Sequence, residues 1–241
     1  MIVYHYFSEL HGLDALQHSW LKVGRLFDLN DPADCRPLLR NMPAGESITA
    51  DEYFKFLYQE AGILCFCDSI DDPVVWSHYA DSHRGIAIGY DIQRPLHKVN
   101  YLDDRPTVDC TEASKLLGEH GTVTTAFLEE VIARGFTTKA KSWGYESERR
   151  VFIGLSRGTV EMVGSLYFYK TDPLVRMKSV ILGYRCRLNE SDILMAARNY
   201  AHRGDRSWVY RARLRDDKFN LDIYNQAQKK SLEIPKLPQQ P

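Results

Sequence analysis

The sequence predicts an α+β fold: a single domain whose mixed or mostly antiparallel sheet is flanked by helices. Short runs of β-branched and aromatic residues are interspersed with helical segments, but they form no regular strand–helix–strand repeat. No change in composition marks a linker within the 241 residues, a length that suits one large domain. We therefore expect one domain over residues 1–228 and a disordered, proline-rich tail over residues 229–241.

The first part of the chain is predicted to begin with a strand. Ile2–Phe7 is β-branched and aromatic, and Ser8 can cap the helix that follows it. Arg25–Leu29 is predicted to be a second strand, and the turn signal Asn30–Pro32 comes directly after it. Ala50–Ala61 has the composition of a helix.

A strand, a capped helix and another strand are predicted in the middle of the chain. Ile63–Cys67 is a short apolar run of the kind that forms a buried strand. Asp72 can cap a helix that begins at Pro73, where the missing N–H costs nothing. We expect this helix to end at Gly85, before a strand over Ile86–Tyr90.

The same patterns predict the remaining elements. Helices are expected over Thr111–Gly135 and from Asn189 to Tyr200. Strands are expected over His97–Leu102, Val151–Leu155, Leu166–Tyr169, Val180–Leu182, Ser207–Leu214 and Phe219–Ile223.

The composition is that of an ordinary globular protein. The net charge of −1, from 31 basic and 32 acidic residues, neither demands nor excludes a nucleic-acid partner. The five cysteines include no Cys-x-x-Cys pair, so no metal site is predicted. Without a basic leader or an apolar run near ~20 residues, we expect no membrane association and a cytoplasmic location. Walker-type ATP hydrolysis, Rossmann redox chemistry and zinc proteolysis are disfavoured because their motifs are missing.

The most suggestive group of polar residues precedes the strand predicted at Val151. Trp143 and Tyr145 lie beside Glu146 and Glu148, which would share one face of an extended chain. Two carboxylates on one face repel each other, which raises the pKa of one and suits a general acid or base, or a clamp on a ribose hydroxyl. Arg149 could hold a phosphate or neutralise the pair. A salt-bridged strand edge is the structural alternative.

A second group lies on the predicted central helix. His78 and Asp81 are three residues apart, so they can meet, and the carboxylate would orient the imidazole. Tyr79 shares the buried face with Trp76, and Arg84 in the last turn would favour the helix dipole. The structural alternative is a helix tied to the sheet by a His–Asp hydrogen bond.

A third group combines the first strand with the following turn. Tyr4 and Tyr6 share one face of the strand, and His5 takes the other. Asn30 and Asp31 could present side-chain acceptors at the end of the strand. A simple turn and a core histidine are the structural alternative.

The order of these motifs resembles the bacterial domain-of-unknown-function family numbered 2971, from about Val3 to about Ile223. Cys67 stands where that family usually has a serine. The resemblance implies that the segments around Asn30, His78 and Glu146 belong together, and it supplies no function. The motifs that carry it are Leu21–Pro32, Cys65–Cys67, Trp76-Ser-His-Tyr-Ala-Asp81, Arg84-Gly, Gly89–Asp91, Lys141-x-Trp-x-Tyr-Glu-x-Glu-Arg149 and Val180–Gly183.

A histidine on the first strand, a central aromatic residue and a late glutamate also resemble the His-Tyr-Glu arrangement of ADP-ribosyltransferases. The resemblance implies an NAD-cleaving or ADP-ribosyl-transferring enzyme with NAD as substrate. His5 would hold the adenosine ribose, Tyr79 would stack on nicotinamide, and Glu148, or else Glu146, would bind the ribose 2′-hydroxyl. His78 is a further catalytic candidate. The candidate binding residues besides His5 are Tyr4, Asn30, Asp31, Trp76, Asp81, Arg84, Lys141, Trp143 and Arg149.

The alternative is a non-catalytic module that binds a nucleotide, a nucleic acid or a protein partner, in bacterial stress or phage defence. Trp76, Trp143 and the arginines Arg211, Arg213 and Arg215 would form its surface, which would suit single-stranded nucleic acid. An enzyme requires a histidine near the glutamates in one concave site, whereas a binding module leaves the basic face exposed.

Overall fold

A computed structural model describes residues 1–41, 61–109, 131–156, 158, 160–198 and 208–233. The helices are α1 (Glu9–His18), α2 (Pro73–Tyr79) and α3 (Glu190–Ala196), with a π-helical turn over Val131–Phe136 and a 3₁₀ helix over Lys141–Glu146. The strands are β1 (Ile2–Phe7), β2 (Trp20–Arg25), β3 (Leu38–Arg40), β4 (Ala61–Cys67), β5 (Ile86–Ile92), β6 (His97–Lys98), β7 (Asn100–Leu102), β8 (Thr107–Asp109), β9 (Thr138–Ala140), β10 (Glu148–Gly154), β11 (Glu161–Val163), β12 (Leu166–Lys170), β13 (Val175–Leu182), β14 (Val209–Arg213), β15 (Asp222–Asn225) and β16 (Lys230–Ser231).

Most of these strands form one large sheet, which confirms the predicted α+β class. Its order is β11-β12-β2-β4-β1-β5-β13-β14-β15-β16, and β10 pairs with both β4 and β6. All described pairs in this sheet are antiparallel except β13–β14, which is parallel. Two small parallel pairs, β3–β8 and β7–β9, lie outside it.

Hydrophobic residues pack on both faces of the large sheet, as the alternation along β1 shows. Val3 and Phe7 belong to one buried cluster, together with residues of α1 and α3. Tyr4 and Tyr6 belong to a second cluster, which includes Trp76 of α2. Because successive strand residues point to opposite faces, β1 contributes to both clusters.

The predicted strand over Arg25–Leu29 is wrong. Ser19, with φ of 59°, caps the C-terminus of α1 in the left-handed region, and the strand begins directly afterwards at Trp20. This strand, β2, pairs with β12 and ends at Arg25, where a turn begins. Ser8 caps α1 as predicted, and its side chain accepts a hydrogen bond from the His11 N–H.

The central helix also ends earlier than predicted, at Tyr79 rather than near Gly85. The next residues, Asp81, Ser82 and His83, all have positive φ, so the chain leaves the helix in a left-handed turn. Gly85 is required for a different reason from helix capping. A Cβ atom there would lie 1.9 Å from the Phe7 carbonyl oxygen, so only glycine permits this close approach to β1.

Of the other predicted elements, some are confirmed and others have different bounds in the structure. Asp72 caps α2 and Asn189 caps α3 as expected, although α3 ends at Ala196. The expected strand over His97–Leu102 is interrupted at Val99, and the last expected strand begins at Asp222. Residues 50–60 and 111–130 of two predicted helices lie outside the described residues, and Ala61 begins β4.

The described chain continues past the expected domain boundary at residue 228. Lys230 and Ser231 form β16, which pairs with β15, and residues 234–241 lie outside the described ranges. Within the described helices, none has the length and apolarity that a membrane crossing requires.

Gly85→Ala is expected to lower the free energy of unfolding by at least the ~1–3 kcal/mol typical of overpacking, because the added methyl group meets backbone that cannot rotate away. Urea unfolding followed by circular dichroism measures this change. Gly154→Ala is the matched control, since its added methyl group meets no atom within 4 Å. Equal losses in both variants would contradict the role assigned to Gly85.

Candidate functional site

A buried group of charged side chains lies where β9, the 3₁₀ helix and β10 follow one another. Lys139, Glu146, Glu148 and Arg150 are all buried, as is Asp34 from the loop after β2. The prediction that Glu146 and Glu148 come together is confirmed, but its assumption of an extended chain is wrong. Glu146 ends the 3₁₀ helix, and Ser147, with φ of 45°, turns the chain into β10.

Arg150 is the most deeply buried charge of this group, with no exposed surface. Its guanidinium donates to both carboxylate oxygens of Asp34 at 2.9 and 2.6 Å, and to both of Glu148 at 2.7 and 2.8 Å. It also donates to the Phe136 carbonyl oxygen at 2.8 Å and to Cys35 Sγ at 3.3 Å. Such bidentate, charge-assisted bonds are the strongest that arginine makes.

Lys139 is the second buried cation. Its Nζ lies 2.6 Å from Glu146 Oε2, 3.4 Å from Glu148 Oε2 and 3.7 Å from Asp34 Oδ2. Burial lowers the pKa of Lys139, but the carboxylates of Glu148 and Glu146 raise it by a larger amount. The net pKa shift is therefore upward. The Trp143 ring lies 4.7 Å from the same ammonium group, as in a cation–π contact.

Glu146 links this group to helix α2. Its Oε1 accepts a hydrogen bond from the Tyr79 hydroxyl, which in turn accepts one from Asn30 Nδ2 at 3.0 Å. Burial raises the pKa of Glu146 above the usual glutamate value, although Lys139 and Tyr79 oppose the shift. Burial and the Glu146 carboxylate raise the pKa of Tyr79 well above its ordinary value, which keeps it the donor.

The pKa of Glu148 shifts in the opposite direction from that of Glu146. Burial alone would raise its pKa, but Arg150 and Lys139 hold the pKa below the usual glutamate value. Two carboxyl groups separated by one residue are therefore driven in different directions, a pattern typical of sites in which two acids take different roles.

The two glutamates line a cavity of about 190 Å³. The residues around it come from segments far apart in the sequence: Tyr4 and His5 from β1, Asn30 from the turn after β2, and Tyr79 from α2. The segments that the family resemblance grouped together therefore meet around this cavity, with Tyr79 rather than His78 as the contribution from α2.

The two candidate histidines, His5 and His78, both have partners within the protein. His5 Nδ1–H donates to the Cys65 carbonyl oxygen at 2.6 Å, and burial lowers the pKa of the imidazole. His78 Nδ1 lies 2.7 Å from the Tyr145 hydroxyl. The predicted contact between His78 and Asp81 is wrong because α2 ends between them, and Asp81 instead pairs with Arg84 at 3.0 Å on the surface.

Several other predicted binding residues have structural partners. Trp76 has no exposed surface and donates to the Ile70 carbonyl oxygen, so its assignment to a binding surface is wrong. Asp31 accepts from the Ala33 N–H within its turn. Lys141 forms an ion pair with Asp103, and both side chains are exposed to solvent.

Arg149 does not neutralise the glutamates, because it pairs with Asp68 at 2.9 Å. Strand alternation directs Arg149 and Arg150 to opposite faces, and the buried face receives Arg150. The residues that sequence reasoning missed are thus Asp34, Lys139 and Arg150. The Glu148-x-Arg150 alternation at the start of a strand was the available signal for Arg150.

The arginines of the proposed nucleic-acid surface also have partners within the chain. Arg211 donates to the carbonyl oxygens of Cys186 and Leu188 at 3.0 and 2.7 Å. Arg213 stacks on Tyr224 with its guanidinium carbon 3.5 Å from the ring centroid, and Arg215 pairs with Asp217.

Among the described residues, no three histidine, cysteine, aspartate or glutamate side chains are arranged to hold a metal ion. Comparison with known proteins finds no matching family model, no matching curated protein and no matching solved structure.

Arg150→Met is expected to lower the free energy of unfolding by about 3–5 kcal/mol, because it leaves buried Asp34 and Glu148 without their main counterion. Denaturant unfolding of the two proteins measures the difference. Arg84→Met, which removes an exposed ion pair with Asp81, is the control and should change stability little. A comparable loss in the control would contradict the importance given to burial.

Glu148 should make stability sensitive to acid. Because its folded-state pKa lies below the usual glutamate value of 4.5, its stabilisation is present above about pH 4.5 and is lost as the pH falls through the folded pKa. Thermal unfolding between pH 3 and pH 7 should therefore show a smaller acid-dependent loss in Glu148→Gln, which starts less stable at pH 7. An unchanged acid dependence in this variant would show that other groups cause the loss.

Proposed function

We propose that this protein cleaves NAD at the bond between nicotinamide and ribose, and passes the ADP-ribose to water or to another acceptor. The observation that carries the proposal is Glu146: a buried carboxyl group on a cavity wall, whose pKa burial raises towards the range useful for proton transfer. Tyr79 and Lys139 hold this group in place from two sides.

The reaction needs a negative charge and a proton acceptor at one place. When the C1′–N bond breaks, both electrons stay with nitrogen, so nicotinamide leaves neutral and the ribosyl carbon becomes cationic. A carboxylate beside that carbon stabilises the developing charge. In hydrolysis, a water oxygen then bonds to C1′ and gives its proton to Glu146, which completes the balance.

The structure favours Glu146 over Glu148 for this role. Both oxygens of Glu148 accept hydrogen bonds from the Arg150 cation, whereas Glu146 Oε1 accepts from the neutral Tyr79 hydroxyl group, so Glu148 mainly fixes the buried network. Tyr79 contacts Glu146 through its hydroxyl group and is better placed to orient the carboxylate than to stack on nicotinamide. His5 lines the same cavity and remains the candidate contact to ribose.

The size of the cavity limits which part of the substrate it holds. Pockets that enclose drug-sized ligands measure about 300–1,000 Å³, whereas this cavity measures about 190 Å³. The nicotinamide end of the dinucleotide would enter, and the adenosine end would lie across the rim. The resemblance to ADP-ribosyltransferases supports the proposal, which includes a cytoplasmic location and a part in bacterial stress or phage defence.

A non-catalytic nucleotide-binding module is the second candidate. It is favoured by the saturation of the charged network, because every carboxylate in it already has partners within the protein. Fully satisfied polar networks make a core rigid and specific without any catalytic role. Binding of nucleic acid along β14 is less favoured, because Arg211 and Arg213 are engaged by their own chain.

Glu146→Gln is expected to reduce nicotinamide release from NAD by a factor of about 10²–10⁴, the usual contribution of a general acid or base. Release is measured by chromatography after incubation with the purified full-length chain. The control is Glu161→Gln, which changes an exposed glutamate on β11 and should leave the rate as it was.

The same proteins distinguish the two candidates. If NAD raises the melting temperature but neither the native protein nor Glu161→Gln releases nicotinamide, the non-catalytic module is correct. If Glu146→Gln folds normally and releases nicotinamide at the native rate, the role of Glu146 is wrong.

A further inference from the structure

Helix α2 and the 3₁₀ helix are joined by two neighbouring side-chain contacts. One connects Tyr79 to Glu146 and belongs to the site described above. The other connects the preceding residue of each element, because His78 Nδ1 lies 2.7 Å from the Tyr145 hydroxyl oxygen. The proposed function uses the first contact and leaves the second without a role.

The second contact, between His78 and Tyr145, places a nucleophile beside a base, and we call it the histidine–tyrosine dyad. Burial and the negative charge of Glu146 raise the pKa of Tyr145, so its hydroxyl group keeps its proton at neutral pH. A protonated phenol is a weak nucleophile, which an adjacent base activates by taking the proton. With its own hydrogen on Nε2, the imidazole accepts the Tyr145 O–H at Nδ1, at a distance suited to proton transfer.

The tyrosines that line the cavity have partners less suited to take a proton. Tyr6 donates its hydroxyl hydrogen to the Ser69 carbonyl oxygen, and Tyr79 donates its own to Glu146. A carbonyl oxygen takes up no proton near neutral pH, and the Glu146 carboxylate is also engaged by Lys139. Imidazole is a stronger base than either group. The tyrosine of the dyad is therefore better prepared to attack a cationic carbon.

The histidine–tyrosine dyad lies beside the wall of the cavity. Tyr145 directly precedes Glu146, and its ring packs against a cluster that includes Tyr4 and Cys67, both of which line the cavity. Tyr145 is partly exposed and His78 is exposed. A group bonded to the phenol oxygen can therefore extend into solvent, and the imidazole can pass its proton to water.

We propose that Tyr145 is an acceptor of the ADP-ribosyl group and that His78 is its general base. As the C1′–N bond of NAD breaks, its electron pair stays with nicotinamide, the Tyr145 oxygen bonds to C1′, and the hydroxyl proton passes to His78 Nδ1. The products are neutral nicotinamide, a chain that carries ADP-ribose on the phenol oxygen, and a proton that the imidazole releases to water. The inference rests on the proposed function and deepens it by naming a phenol of the protein itself as the acceptor.

The first test follows the ADP-ribosyl group. Purified full-length protein is incubated with NAD, nicotinamide release is measured by chromatography, and covalent ADP-ribose is located by mass spectrometry of the intact chain and its peptides. The modification is expected on Tyr145 and should be lost in Tyr145→Phe. In His78→Gln, the modification per nicotinamide released should fall by about 10²-fold, the lower end of the usual contribution of a general base. Tyr184→Phe changes an exposed tyrosine and should keep the native ratio.

A second test needs no NAD. N-Acetylimidazole acetylates tyrosine hydroxyl groups, and peptide mass spectrometry gives the rate at each position. Exposure alone favours Tyr184, which is 46% exposed, over the less exposed Tyr145. Activation by His78 should instead make Tyr145 react at least about 10-fold faster than Tyr184 in the native chain. This order should reverse in His78→Gln.

The outcomes separate this inference from the proposed function. Nicotinamide release with no modification, or with modification elsewhere in the chain, would overturn the inference and leave the proposed function standing. Equal modification of Tyr145 in the native protein and in His78→Gln would refute the role of His78. No release from any of the proteins would refute the proposed function, and the acetylation rates would then decide on the dyad alone. Equal acetylation of Tyr145 with and without His78 would show that the dyad is not an activated nucleophile.

Discussion

The buried guanidinium of Arg150 is the constraint on which the site depends. A charge without exposed surface is tolerated only when opposite charges and hydrogen-bond acceptors surround it. Those partners come from separate parts of the chain: Asp34 from the loop after β2, Phe136 from the π-helical turn, and Glu148 from β10 itself. One side chain thereby joins three segments, and two of its partners, Asp34 and Glu148, line the cavity.

The same interaction gives the two glutamates different surroundings. Arg150 holds both oxygens of Glu148, which leaves Glu146 with Lys139 and a neutral phenol. Burial raises the pKa of both carboxyl groups, but Arg150 and Lys139 outweigh this effect at Glu148, whereas Lys139 and Tyr79 do not outweigh it at Glu146. The chemistry that we assign to Glu146 follows from this unequal pairing rather than from any special property of the residue.

The position of Tyr79 depends on a second constraint at the end of α2. The left-handed turn over Asp81–His83 packs its backbone against the end of β13, where the Gly183 N–H donates to the Gly85 carbonyl oxygen at 2.9 Å. A Cβ atom on Gly183 would lie 2.2 Å from the His83 carbonyl oxygen, so backbone meets backbone directly. This close contact fixes the last turn of α2, and with it the hydroxyl group that reaches Glu146.

The sequence by itself determined the α+β class and the capped helix starts at Ser8, Asp72 and Asn189. Each of these depends on residues close together in the chain, where spacing alone sets which side chains share a face. Only the tertiary structure decided that Arg150 rather than Arg149 neutralises the carboxylates, that Asp34 and Lys139 complete the network, and that Trp76 lies in the core. Local periodicity says which way a side chain points, but the segment that it meets there is set by the packing of the whole sheet.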